Sequence, residues 1–250
     1  MSRSSLPLKI ALAIVLILSA LELAFISTTV GYLARLGNTR LASNLDPPNG
    51  TTLPSLPTNL SVNQGHTANG AAGTALVIIS LGGIVALLLR SRSGYYKSSF
   101  GGLFSRCFYR LWLALQIPAW LLTLGALAYV FAYTNAHAGQ SIDPTVAQSS
   151  AVANSTYPLL EWSPQGWLAA LLDPALKLNG EVVDLAAMRR TLHIARGWQY
   201  NLIPLFIFQL VETVLALLDA RRRRRADATP RAPLAEEKGF VGGQGMAHAI

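Results

Sequence analysis

Two acidic residues, Glu22 and Glu212, stand inside long apolar stretches of this 250-residue chain. A charge in a bilayer core is penalised by several kcal/mol, so a carboxyl kept there is a candidate proton relay or cation ligand. Gln209 precedes Glu212 by one helical turn and Ser19 precedes Glu22 likewise, so each acid is predicted to have a hydrogen-bonding neighbour. Gln116, in another apolar stretch, is the remaining polar candidate. Alternatively, the carboxyls are neutral and join neighbouring helices.

Four apolar stretches must position these side chains: residues 10–34, 72–90, 111–133 and 201–220. Each has close to the roughly 20 residues that a helix needs to cross a hydrocarbon core. Because backbone groups in lipid must be satisfied internally, the predicted fold class is all-α, a polytopic four-helix transmembrane bundle. The helical rise then predicts that both carboxyls lie near the bilayer midplane. The first stretch could instead be a signal peptide, but its length and the lack of a cleavage site predict that it is retained.

Charge predicts which side of the membrane each connection faces. Most of the 20 basic residues fall in three segments, 1–9, 91–110 and 221–250, or border them, and the positive-inside rule makes these segments cytoplasmic. Residues 35–71 and 134–200 are then exterior loops. The net charge of +8 is explained by this flanking pattern. We therefore expect no nucleic-acid partner, which would need one continuous basic patch.

Three N-glycosylation sequons give independent support for that topology. They begin at Asn49, Asn59 and Asn154, and all lie in the two loops that charge places outside. Both termini are therefore predicted to be cytoplasmic. The predicted location is the plasma membrane or a membrane of the secretory pathway, and the protein is predicted to be a glycoprotein.

The second exterior loop is predicted to contain two short amphipathic helices. Ser163 and Pro164 resemble an N-cap followed by proline at the first helical position, and this helix should end near Asp173. The second helix is predicted over residues 180–196. We expect the pair to cap the bundle or lie on the outer membrane surface. The polar segment 37–70 is predicted to be irregular.

The predicted cytoplasmic loop combines basic residues with an aromatic stripe at Phe100, Phe104 and Phe108. Cys107 in this setting is a candidate for S-palmitoylation, although an unmodified thiol explains it equally well. Because it is the only cysteine, an intramolecular disulfide framework is excluded. The exterior cysteine motifs of tetraspanins and claudins are therefore absent.

A run of five arginines follows the fourth apolar stretch. It can act as a stop signal for membrane insertion, as a contact for anionic lipids, or as a retrieval signal. The remaining tail, 226–250, is rich in Ala, Gly and Pro and is predicted to be disordered. The run comprises Arg221, Arg222, Arg223, Arg224 and Arg225.

Two blocks of sequence carry a family resemblance. The first is Tyr157-Pro158-Leu159-Leu160-Glu161-Trp162-Ser163-Pro164, followed by Trp167 and Leu171-Leu172, and the second is Arg196-Gly197-Trp198-Gln199-Tyr200-Asn201-Leu202-Ile203-Pro204. Together with the topology, they resemble uncharacterised four-pass membrane proteins of filamentous ascomycete fungi. The resemblance covers roughly the C-terminal half. It implies a fungal membrane protein without a known activity, and it assigns no catalytic residue.

No enzyme signature is present: the four histidines are scattered, and no nucleophile, phosphate-loop or metal motif occurs. We therefore expect a protein that is not an enzyme and that needs no cofactor or metal. The predicted function is a membrane organiser or accessory scaffold subunit. Its expected partners are the bilayer, anionic lipids and other membrane proteins. The alternatives are a small transporter or channel subunit that uses Glu22 and Glu212, or, third, an enzyme with a site in the outer loop.

Overall fold

Five helices make up most of the described chain. In order they are α1 (Leu6–Leu36), α2 (Asn63–Ser91), α3 (Phe100–Ala136), α4 (Pro164–Leu171) and α5 (Leu185–Ala228). All except α4 are long and apolar enough to cross a membrane, so the predicted all-α four-helix bundle is confirmed. The computed structural model describes residues 6–37, 40–42, 52–57, 59–91, 100–143, 161–176, 178 and 184–228.

The bundle exposes large apolar side chains that a water-soluble protein would bury. Large apolar side chains such as Ile17, Val77 and Leu121 point outward, where Ile17 is 59% exposed. Small and polar side chains such as Ser19 and Thr123 are fully buried between the helices. This distribution suits lipid, in which close contact and interhelical hydrogen bonds replace the hydrophobic drive for association. The chain is therefore an integral membrane protein.

Helix α2 begins at Asn63, nine residues before the predicted start at residue 72. The prediction was late because the first turns of the helix are polar and therefore lie outside the apolar stretch. Its segment Ala75–Leu81 is π-helical, and the Nε1 of Trp112 donates to the carbonyl oxygen of Ile79 in that segment (3.1 Å). Gly83 lies against α1 and α3: a Cβ there would be 2.8 Å from the Cδ2 of Leu12 and 2.9 Å from the Cζ2 of Trp112. Gly83 is therefore a point of close contact between α2 and its two neighbours.

Helix α5 merges two predicted elements. The second amphipathic helix is not separate, because the helix that begins at Leu185 continues without a break into the fourth apolar stretch. Pro204 therefore lies inside a 44-residue helix and not in its first turn. The helix also continues through the arginine run to Ala228, so the predicted cytoplasmic tail starts as helix. Residues 229–250, and with them most of the predicted disordered tail, lie outside the described residues.

A cap covers one end of the bundle. We define the cap as β1 (Arg40–Ala42), β2 (Thr52–Pro54), α4, the short 3₁₀ turn Pro174–Leu176, and the part of α5 before Ala195. The strands pair antiparallel, with Arg40 opposite Pro54, so the segment predicted to be irregular contains a small hairpin. Buried Trp162, Trp167 and Met188 form its core together with Leu36 of α1. Of the two predicted amphipathic helices, α4 packs over the end of the bundle, whereas the second is the first part of α5.

Local capping chemistry explains where α4 begins. The Ser163 hydroxyl accepts from the backbone N–H of Gly166 (3.0 Å), and Pro164 occupies the first helical position, as predicted. The helix ends at Leu171, slightly before the predicted end. At the opposite end of the bundle, α3 begins at Phe100 and not near residue 111. Phe100, Phe104 and Phe108 therefore lie on the first turns of α3, before its apolar stretch begins.

Candidate functional site

The first polar layer joins α1 to α5. The Nδ2 of Asn201 donates to the Oε2 of Glu22 (2.8 Å) and to the carbonyl oxygen of Leu18 (3.0 Å). The Glu22 side chain is completely buried (0% exposed). One amide therefore ties a buried carboxyl and a backbone oxygen of α1 to α5, which fixes the register of the two helices.

The second polar layer joins α3 to α5. The Nε2 of Gln116 donates to the Oε1 of Glu212 (3.2 Å), and the Oε1 of Gln116 accepts from the hydroxyl of Thr213 (3.3 Å). One turn nearer the cap, the hydroxyl of Thr123 donates to the Oε1 of Gln209 (2.6 Å). All of these side chains are buried. The predicted candidates Gln116, Gln209 and Glu212 therefore lie in one continuous interhelical seam.

The two carboxyls do not share a depth, and this prediction is wrong. Glu22 is level with Asn201, and eleven residues of α5 separate Asn201 from Glu212. That spacing corresponds to about 16 Å along a helix. The two apolar stretches are offset along the bundle, so their midpoints do not mark one plane. The structure brings Glu212, Gln209 and Gln116 together and leaves Glu22 in a separate layer.

The predicted neighbours of the two acids have other partners. The Ser19 hydroxyl donates to the carbonyl oxygen of Val15 (2.7 Å), because a short side chain on a helix reaches the preceding turn of backbone more easily than a side chain one turn ahead. Gln209 accepts from Thr123, as described above, rather than bonding to Glu212. Each carboxyl instead uses an amide from a different helix. The way the helices are aligned against each other therefore decides which side chain bonds to each carboxyl.

Each carboxyl retains one oxygen without a protein partner. Among the described residues, the Oε1 of Glu22 and the Oε2 of Glu212 are buried and make no hydrogen bond. The Nε2 of Gln209 and the hydroxyl of Ser80 on α2 are in the same condition. Leaving such atoms unsatisfied costs about 1–3 kcal/mol each. These unpartnered atoms are the feature of the bundle interior that hydrogen bonding within the protein does not explain.

A third polar layer, at the end of the bundle opposite the cap, was missed by the sequence reasoning. The Nη1 of Arg90 lies 2.7 Å from the Oδ2 of Asp219, and their side chains are only 7% and 6% exposed. The Nε of Arg223 lies 3.1 Å from the same oxygen, and the Nη1 of Arg90 also donates to the hydroxyl of Tyr109 (2.8 Å). The available signal was spacing: Asp219 follows Glu212 by two helical turns on one face of α5.

The arginine run occupies the last turns of α5, beyond this third layer. Arg223 points inward to Asp219 and is 37% exposed. Arg221 and Arg224 lie on another face, together with Arg110 of α3, around a cavity of about 450 Å³. Arg222 is exposed and does not line that cavity. The five arginines, which the sequence presents as one run, therefore have different environments.

The modification candidates are only partly covered by the structure. Asn59 is exposed in a turn, where its carbonyl oxygen accepts from the backbone N–H of Trp162 (3.1 Å). Asn49 and Asn154 lie outside the described residues. Cys107 is an exposed free thiol on α3, one turn from the exposed Phe104. Whether the sequons and the thiol are modified stays a prediction.

A basic stripe runs along the outer side of α5, from the cap into the adjoining turn. We define the basic stripe as Arg189, Arg190, His193 and Arg196, which are exposed along one side of α5. The opposite side of the same turns packs into the cap and the bundle. Within the described part of the chain, no carboxylate lies within ion-pair distance of these arginines. The stripe is therefore an exposed basic surface without an ion-pair partner in the described part of the chain, on a well-packed support.

Metal chemistry has no support in the described residues, which contain no cluster of three His, Cys, Asp or Glu side chains able to hold an ion. Comparisons with known proteins add no family: no family model, no curated protein and no solved structure matches the chain. The resemblance to fungal four-pass proteins stays a prediction.

Proposed function

We propose that the protein is a non-enzymatic membrane organiser or accessory subunit that binds another membrane protein through its cap. The observation that carries the proposal is the basic stripe. Its charges lie on a helix whose other side is held by the buried tryptophan core, so the charged surface is presented rigidly. A rigid, uncompensated cationic surface suits an acidic segment of a partner.

The polar layers support a structural role for the interior. Glu22 and Glu212 each accept a hydrogen bond from an amide of a different helix, and they lie about three turns of α5 apart. A transport path needs polar groups that converge or helices that are broken near the site. Here the carboxyls join neighbouring helices at two levels, which favours their use as interhelical hydrogen-bonding groups.

Co-purification with matched variants tests this proposal. The tagged chain is purified from its native membrane in a gentle detergent, next to a variant with Arg189, Arg190 and Arg196 all changed to Gln. We expect specific partner proteins with the unchanged chain and their loss with the triple variant. The control is Arg35→Gln, which removes an exposed arginine from the same end of the bundle. An identical partner set with the triple variant would contradict the proposal.

The second candidate function is a small transporter or channel subunit, and the unpartnered carboxyl oxygens favour it. A carboxyl with a free oxygen can accept or release one more proton or bind one more ligand. Flux of protons or monovalent cations into proteoliposomes tests this directly, with Glu22→Gln and Glu212→Gln as variants. Flux above that of empty vesicles that falls in either variant would replace the organiser proposal. Flux equal to that of empty vesicles would remove the transport candidate.

A further inference from the structure

A groove opens between α3 and α5 at the end of the bundle opposite the cap. Its volume is about 450 Å³, within the range of sites that bind small molecules. Helix α3 contributes one arginine and two apolar residues, and α5 contributes two of each. The lining residues are Arg110, Leu113, Ala114, Leu217, Ala220, Arg221 and Arg224.

The groove has a cationic end and an apolar end. On α3, Arg110 is one turn nearer the helix N-terminus than Leu113, and on α5, Arg224 is two turns nearer the C-terminus than Leu217. The two helices run antiparallel, as the pairing of Thr123 with Gln209 and of Gln116 with Glu212 shows. The arginines of both helices therefore meet at the same end. The apolar walls extend from there towards the middle of the bundle.

Among the side chains that the structure describes, no carboxylate lies within ion-pair distance of Arg110, Arg221 or Arg224. On α5, Asp219 is already paired with Arg90 and Arg223. Three arginines that line one groove favour a phosphate, because guanidinium groups can bind it through paired N–H groups. The lining of the groove therefore suits a ligand with an anionic group at one end and an apolar chain at the other.

We infer that this groove binds one anionic phospholipid. The phosphate and headgroup lie between Arg110, Arg221 and Arg224, and an acyl chain follows Leu113 and Leu217 along the groove. This differs from general attraction of a basic tail to a membrane surface, because only the arginines that line the groove contribute. Arg222 belongs to the same run and is exposed, but it does not line the groove. A variant of Arg222 therefore distinguishes a lipid bound in the groove from general attraction to the membrane surface. The inference does not depend on the proposed partner of the cap.

Native mass spectrometry of the full chain in mild detergent tests the site. Phosphatidylserine and phosphatidylcholine with identical acyl chains are the probes. We expect a one-to-one adduct with phosphatidylserine and a much weaker one with phosphatidylcholine. Changing Arg221 or Arg110 to Gln should lower the apparent affinity for phosphatidylserine about fivefold each, which corresponds to about 1 kcal/mol per arginine. Arg222→Gln should leave the affinity unchanged.

A second variant removes the apolar part of the site without changing charge. Ala114 is exposed on α3, so Ala114→Phe fills the groove without disturbing the core, and it should abolish the adduct. Circular dichroism confirms that each variant stays folded. Equal losses for Arg222→Gln and Arg221→Gln, equal binding of both lipids, or retention of the adduct in Ala114→Phe would overturn the inference. Displacement of the lipid by millimolar inorganic phosphate would show a free-anion site instead. The cap's partners should be unaffected in every groove variant.

Discussion

Changing Asp219 to Asn should destabilise the bundle far more than removing the charge of its partly exposed partner, Arg223. In the folded protein one carboxylate oxygen serves two arginines, at 2.7 Å from Arg90 and 3.1 Å from Arg223. Arg90 is 7% exposed, whereas Arg223 is 37% exposed and can turn towards water. Loss of Asp219 therefore leaves one buried guanidinium without a counter-charge.

The expected cost follows from that difference in burial. Breaking a buried ion pair by removing one partner costs about 3–5 kcal/mol. Part of this is offset here, because the guanidinium carbon of Arg90 lies 4.9 Å from the centre of the Tyr109 ring, a cation–π contact worth about 1 kcal/mol. We therefore expect Asp219→Asn to lower the free energy of unfolding by about 3 kcal/mol. Arg223→Gln should lower it by only about 0.5 kcal/mol, as for other exposed pairs one turn apart.

The assay is reversible unfolding in mixed micelles, in which sodium dodecyl sulfate is titrated into the folded protein and helicity is followed by circular dichroism. Arg90→Gln should fall between the two other variants, because Asp219 keeps Arg223 as a partner. The double variant of Arg90 and Asp219 should be less destabilised than the sum of the single variants, since neither charge is then left alone. Equal costs for Asp219→Asn and Arg223→Gln would refute the reasoning.

Three further predictions concern packing, the first polar layer and topology. Gly83→Ala should lower the free energy of unfolding by about 1–3 kcal/mol in the same assay, because the added methyl group meets two side chains. Gly82→Ala is the control and should not destabilise, since its Cβ would make only ordinary contacts. Asn201→Ala should cost about 1–3 kcal/mol by leaving Glu22 buried without its donor; no change would show that the layer contributes nothing. A membrane-impermeant maleimide should label Cys107 only after cells are permeabilised, and labelling of intact cells would invert the proposed topology.

Hydropathy predicted the number and order of the membrane helices but not where they end. The apolar stretches mark the part of each helix that suits hydrocarbon, while α2 and α5 continue as helix through polar and charged sequence. In these polar segments the helix is maintained by packing in the cap and by local hydrogen bonds. A count of apolar residues along the sequence does not detect either. For the same reason the hairpin of β1 and β2 was not predicted: it is a short element in a segment rich in Pro, Asn and Thr.

The sequence predicted which residues form the candidate site, but it did not predict which of them bond to each other. Glu22, Glu212, Gln116 and Gln209 stand out in sequence because polar groups in apolar stretches are unusual. Which of them meet depends on the register of α5 against α1 and α3, both of which run antiparallel to it, and no local pattern encodes that register. Asp219 was missed because it adjoins the arginine run and so resembles an ordinary flanking charge.

The most direct test of the proposed function is photo-crosslinking in the cells that make the protein. A photoreactive amino acid replaces His193, which lies exposed in the basic stripe, and in a control it replaces Ile17, which is 59% exposed on the apolar surface of α1. The proposal predicts a covalent adduct of one defined mass with a partner protein at position 193 and no such adduct at position 17. Absence of a protein adduct at position 193, or the same adducts at both positions, would contradict it.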